Sequence, residues 1–161
     1  MNSAGFWTLS LAALLTAGGC EDSQVDVVAT LGSMSVYDAV APAPVTPDVG
    51  ALYFSIRNDG DQPDRLTGVS VNVADSATLH TQMMDDETMH MVPLDYLTVP
   101  AGGALRMAPG GSHVMITAIR QPYDVGDLLL VTATLERGGV VTFSVPVVSY
   151  GDVHLSEGGN P

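Results

Sequence analysis

The sequence contains no lysine and only five arginines against eighteen aspartates and glutamates, so its formal net charge is −13. Nucleic acids and anionic membranes are held by basic patches, and so acidic a chain is a poor ligand for either. The acid suits a basic partner face or a salty medium, and serves equally to keep an exported protein soluble. Cysteine is scarce too: Cys20 is the only one. That excludes an internal disulfide, and it excludes a blue-copper centre, which needs a cysteine thiolate in the body of the domain. The apolar run Phe6 to Ala17 is too short to span a bilayer comfortably. Helical periodicity sustained over three turns is missing as well. Asp85, Asp86 and Glu87 form a carboxylate cluster, but no base, nucleophile or oxyanion donor accompanies them. They read as a charged turn, and the chain as a non-enzyme.

What is present begins with a leader. The run Phe6 to Ala17 ends in Ala17-Gly18-Gly19-Cys20 and gives way to the acidic Glu21-Asp22. This order marks residues 1–20 as a signal peptide with a lipoprotein-type cleavage site, after which Cys20 is the lipidated first residue. The segment Met1 to Gly5 carries no positive charge, so an ordinary secretory signal stands as the alternative. Either reading puts the mature protein outside the cytoplasm, in the periplasm, with membrane contact only through a lipid anchor.

Residues 25–150 read as one β-rich domain, and 151–161 as a polar, glycine-rich, flexible tail. Strands are expected at Val25 to Leu31, Ala51 to Arg57, Leu66 to Val73, Ser76 to Gln82, Thr88 to Val92 and Tyr96 to Val99. Others are expected at Leu105 to Met107, His113 to Ile119, Leu128 to Leu135 and Val140 to Val147. Turn signals such as Asn58-Asp59-Gly60 and Pro109-Gly110-Gly111 separate them, which indicates a sandwich or barrel. The prolines at 42, 44 and 47 remove ladder donors, so Ala41 to Pro47 is expected to be a loop or an edge segment.

The chemistry lies in one stretch. Met83, Met84, Met89 and Met91 fall within nine residues that include His90, with His80 just before them, and Met107, His113 and Met115 follow. Methionine is more often core filler than ligand. Here, however, the cluster brackets the solvated turn Asp85-Asp86-Glu87, where packing gives it little reason to gather. In a strand His113 and Met115 project to the same face, and two arms of a hairpin carry His80 and Met91. Neutral imidazole and thioether together make a soft, uncharged set that favours Cu(I) over zinc, magnesium, calcium or manganese. Met83, Met84, Met89 and His90 stand as auxiliary ligands or as ordinary surface side chains, and His154 in the tail as neither.

The spacing resembles that of a known family. His80 is followed after ten residues by Met91, then after twenty-one by His113, with Met115 two positions on. This is the motif of the periplasmic PCuAC-type copper chaperones, which deliver Cu(I) during cytochrome c oxidase assembly. Ala51 to Asn58 resembles their first long core strand, and Pro109 to His113 the loop before their second histidine. Thr81 stands where many members carry methionine. The resemblance implies an all-β, cupredoxin-like sandwich of Greek-key type. It also implies Cu(I) held by His80, Met91, His113 and Met115, and a monomer that hands copper to an acceptor such as cytochrome c oxidase subunit II, at its copper A centre, or another chaperone. A periplasmic copper buffer or resistance protein is the neighbouring alternative. A structural β-sandwich with an incidental methionine cluster is the distant one.

Overall fold

Leu52, Phe54 and Ile56 alternate along one strand and are wholly buried, so they fix which side of that strand faces the core. The computed structural model describes residues 27–85 and 88–153. Cys20, the leader, Asp86, Glu87 and the tail from His154 lie outside them. Eleven strands are described: β1 (Val27–Leu31), β2 (Met34–Pro42), β3 (Val49–Asn58), β4 (Asp64–Val71), β5 (Ala74–Asp85) and β6 (Thr88–Leu94) come first. They are followed by β7 (Leu97–Val99), β8 (Gly103–Arg106), β9 (His113–Ile119), β10 (Leu128–Leu135) and β11 (Gly139–Val148).

Hydrogen bonding runs β6-β5-β9-β3-β2-β11-β10-β4-β7, with β1 on β2 and β8 on β3. The non-consecutive neighbours β3 and β9, β5 and β9, and β4 and β10 are the long returns of a Greek-key sandwich. One layer is built on β3, the other on β10 and β11. Phe54 of β3 meets Phe143 of β11 edge-on between them, with ring centroids 5.2 Å apart, a geometry favoured by the ring quadrupoles. The layers join where β2 turns from β3 to pair in parallel with β11, Ala41 with Val147 and Pro42 with Val148.

The fold class is the expected one, and every expected strand is present, although several are longer. Strand β2 was not foreseen. Its apolar residues do not alternate cleanly because the register against β3 shifts between Tyr37 and Val40, where Asp38 adopts a φ of 54°. Such a bulge places two residues opposite one and breaks the period of two. Of Ala41 to Pro47, the first two residues form the end of strand β2 and pair with β11 alone, an edge segment as one of the two expectations had it. Pro42 is tolerated because Ala43 supplies the next bond to β11, N–H to the Val148 carbonyl at 2.8 Å. The ladder to β3 has by then ended at Val40, so the missing proline donor has no acceptor to serve. After β11 the chain makes a short 3₁₀ turn at Tyr150–Asp152, and Val153 packs against the core.

Phe54→Ala should destabilise the protein by about 3–5 kcal/mol through lost burial and the cavity left behind. Chemical denaturation of the variant checks this, and a loss below about 1 kcal/mol would contradict this account of the core.

Candidate metal centre

The loop between β8 and β9 places His113. Met107 donates to the Phe54 carbonyl at 3.3 Å, so the chain is still beside β3 when it leaves the sheet. Pro109 and Gly110 then occupy the corners of a turn closed by Gly111 N–H to the Ala108 carbonyl at 3.0 Å. Gly110 has a φ of 82°, as the third residue of a type II turn requires. A second bond, Ala108 N–H to the Ser112 carbonyl at 3.0 Å, returns the chain to the same line. Strand β9 therefore begins at His113. The loop also orients the imidazole, because His113 Nδ1 lies 3.1 Å from the Gly111 carbonyl oxygen. A carbonyl only accepts, so Nδ1 carries the proton and Nε2 keeps its lone pair.

Register gathers the rest. His80 of β5 lies directly opposite His113, and Thr78 opposite Met115. Gln82 lies opposite Met91 of β6. Cross-strand partners share a face, as do residues two apart on one strand. His80, Met91, His113 and Met115 therefore all project from one face of three neighbouring strands. It is the outer face, since Leu79, Val114 and Ile116 between them point into the core. His80 and Met91 are diagonal neighbours rather than direct partners. The two imidazoles are 5.9 Å apart between ring centroids, tilted by 37°.

Met91, His113 and Met115 line one cavity of about 260 Å³, walled further by Tyr53, Gln82 and Tyr150 and by the proline-bearing segment Pro42 to Thr46. None of its lining residues is charged. His80 is not part of that wall and adjoins it through His113. Burial raises the Tyr53 pKa, with a smaller contribution from Tyr150, so the Tyr53 hydroxyl stays neutral at physiological pH. His113 is buried despite facing outward, with Tyr53 against it at 6.4 Å between rings. Tyr53, Tyr150 and the proline segment were not singled out from sequence. Their only signal was three prolines among apolar residues, which reads as a loop and not as a wall.

His80 Nε2 lies 3.0 Å from Thr78 Oγ1, while its Nδ1 is buried with no partner. Such an orphaned nitrogen costs about 1–3 kcal/mol. With Nε2–H given to Thr78, the Nδ1 lone pair is free for a cation, which would remove that cost. Among the described residues no three His, Cys, Asp or Glu side chains gather as a metal site. Any ion held here must use thioethers beside the imidazoles, which selects a soft monovalent cation. Of the other candidates, Met83, Met84 and Met89 are exposed, and His90 sits on β6 opposite Met83, not in a turn.

Fold and site together define the class as a cupredoxin-like β-sandwich of PCuAC type, as the motif spacing implied. The copper-bound PCuAC domain from PmoF2 is 28% identical with a TM-score of 0.65, the match covering 76% of this chain and 97% of that one. The apo PCuAC domain from PmoF1 is 25% identical with a TM-score of 0.64, over 76% and 98%. The solution structure of CuI-DR1885 from Deinococcus radiodurans is 27% identical with a TM-score of 0.55, over 81% and 84%. Residues 34–147 match the family described as "LpqE-like: Putative lipoprotein LpqE-like", and the chain belongs to that family. A curated relative, "Putative lipoprotein Lxx21020" from Leifsonia xyli subsp. xyli (strain CTCB07), is 29% identical over 102 residues, 62% of this chain. The match spans only 61% of that relative's length. A lipoprotein family bears out the extracytoplasmic, periplasmic lipoprotein localisation read from the leader.

Burial, and secondarily the nearby His113, lowers the His80 pKa from 6.5. The unfolded chain therefore takes up this proton first as pH falls, and the metal-free protein loses stability below about 6.5 until the folded pKa is passed. An NMR titration of the metal-free protein should show the His80 ring with a midpoint below 6.5. A midpoint at or above that value would mean that the ring is not desolvated as described.

Proposed function

We propose that the protein is an extracytoplasmic copper carrier and not an enzyme: it binds one Cu(I) through His80, Met91, His113 and Met115 and passes it to a copper-accepting protein. The observation that carries this reading is the shared outer face of those four side chains, with His113 Nδ1 taken up by the Gly111 carbonyl and His80 Nδ1 buried without a partner. The copper-bound and Cu(I)-bound relatives support it.

The donors explain why the ion can be released. Four neutral groups give Cu(I) no thiolate clamp, so an acceptor's ligands can replace them one at a time. Met91 is half exposed and is the natural first donor to leave, whereas His113 is buried and positioned by Gly111. The recipient we favour is the copper A centre of cytochrome c oxidase subunit II, because the motif spacing is that of chaperones serving this assembly.

His113→Phe with Met115→Leu should abolish tight Cu(I) binding while the circular dichroism spectrum stays that of the parent. The same double variant should fail to load metal-free subunit II in a transfer assay. A variant that still binds Cu(I) as tightly as the parent would put the site elsewhere. Transfer by the parent protein no faster than from free Cu(I) would favour a buffer over a chaperone.

We also propose that residues 1–20 are a signal peptide and that Cys20 is the acylated first residue of the mature protein, with the sandwich following from about residue 25. Mass spectrometry of protein from the native host should find a diacyl or triacyl N-terminal cysteine. A free N-terminus downstream of Cys20 would establish ordinary secretion instead.

A further inference from the structure

Strand β9 begins at His113, and its pairing with β5 stops there, at His80 opposite His113. Beyond it, residues 81–85 of β5 pair as a strand with β6 alone, from Thr81 opposite Val92 to Asp85 opposite Thr88, and Ser112 reaches only the first of them, through the Thr81 hydroxyl at 3.3 Å. The hairpin thus projects past the sandwich as a two-stranded ribbon with no core beneath it. A ribbon of this kind gains little from apolar side chains, yet Met83, Met84 and Met89 lie on it, 56%, 70% and 57% exposed. Packing does not account for them.

The ribbon has two faces. Met84 and Met89 oppose one another on the face of His80 and Met91, whereas Met83 opposes His90 on the other face. Asp85, two residues beyond Met83, shares the second face. Met83, Met84, Asp85, His90 and Val92 line one open depression of about 480 Å³. It therefore holds an imidazole, two thioethers and a carboxylate, and none of these is a ligand of the site proposed above.

We propose that this depression is a second Cu(I) site, with His90 and Met83 as its donors and Asp85 supplying negative charge beside the cation. A direct cross-strand pair brings its side chains within reach of one ion without backbone change. The imidazole and thioether select a soft cation for the same reason as before. The Asp85 carboxylate, on a chain of charge −13, raises the local concentration of cations. Three residues along β5 separate His80 from Met83, about 10 Å at strand rise, so two ions fit without sharing a donor. The second site is more exposed than the first and holds its ion more weakly.

The experiment is a titration of the full-length protein in detergent with Ag(I), a redox-inert stand-in for Cu(I), followed by NMR and by metal analysis after gel filtration. The parent should bind two ions, the first moving the His80 and His113 ring signals and the second moving His90. Met83→Leu with His90→Phe should bind one ion, still perturbing His80 and His113. A parent that binds one ion, or a variant that still binds two, overturns the second site. A parent whose single ion is lost on His113→Phe but not on His90→Phe overturns this inference alone. A parent that binds none overturns the carrier reading as well.

Discussion

Everything at the outer face depends on the register of β5 against β9, in which His80 stands opposite His113. A strand alternates with a period of two, so a slip by one residue would carry His80 into the core and bring Leu79 out to solvent. The core prevents it. Leu79, Val114 and Ile116 are buried against the second layer, and each such side chain contributes about 1.5–3 kcal/mol by leaving water. The apolar residues that hold the sandwich together are thus interleaved with the donors, and the same alternation that buries one set presents the other. The placement of the proposed ligands follows from core packing without a dedicated scaffold.

The charge of the chain and the neutrality of its centre work at different ranges. Arg57, Arg65 and Arg120 pair with Asp59, Glu136 and Asp75 at the surface, and exposed pairs of this kind add little stability. Most of the acid stays uncompensated, so the molecule presents a negative field to a partner or to free cations. The cavity beside His113 has no charged lining. A divalent ion there would meet no compensating carboxylate, while a monovalent soft ion meets imidazole and thioether. Attraction is left to the surface and selection to the site.

The proposed donors were legible as candidates because they are written in spacing. His113 and Met115 share a face by the period of two, and β6 runs back along β5 with Met91 opposite Gln82. The pairing of His80 with His113 was not legible in that way, since it joins residues more than thirty apart through a Greek-key return. Strand β2 was lost to a bulge at Asp38, which breaks the only pattern that single-sequence reading has for a strand. The cavity wall was equally hidden. Pro42 to Thr46 reaches the site only because β2 leaves β3 after Val40 and crosses to β11, and this is a property of the sandwich and not of the segment.

The orientation of His113 shows why a loop with two glycines precedes it. Its Nδ1–H needs an acceptor in a fixed place, and the acceptor is a backbone carbonyl two residues earlier. For Gly111 to present that carbonyl, the chain must reverse tightly at Pro109-Gly110, and a side chain at Gly110 would have to adopt the left-handed region at a steric cost. The turn therefore determines the tautomer, and the tautomer determines which nitrogen can meet a metal. His80 is fixed more loosely, by a hydroxyl on its own strand, and Met91 by nothing but its place on an edge strand. Rigidity falls from His113 through His80 to Met91 as exposure to solvent rises. That ordering suits the stepwise exchange proposed above, in which an incoming ligand would displace the loosest donor while the most firmly held one still retained the ion.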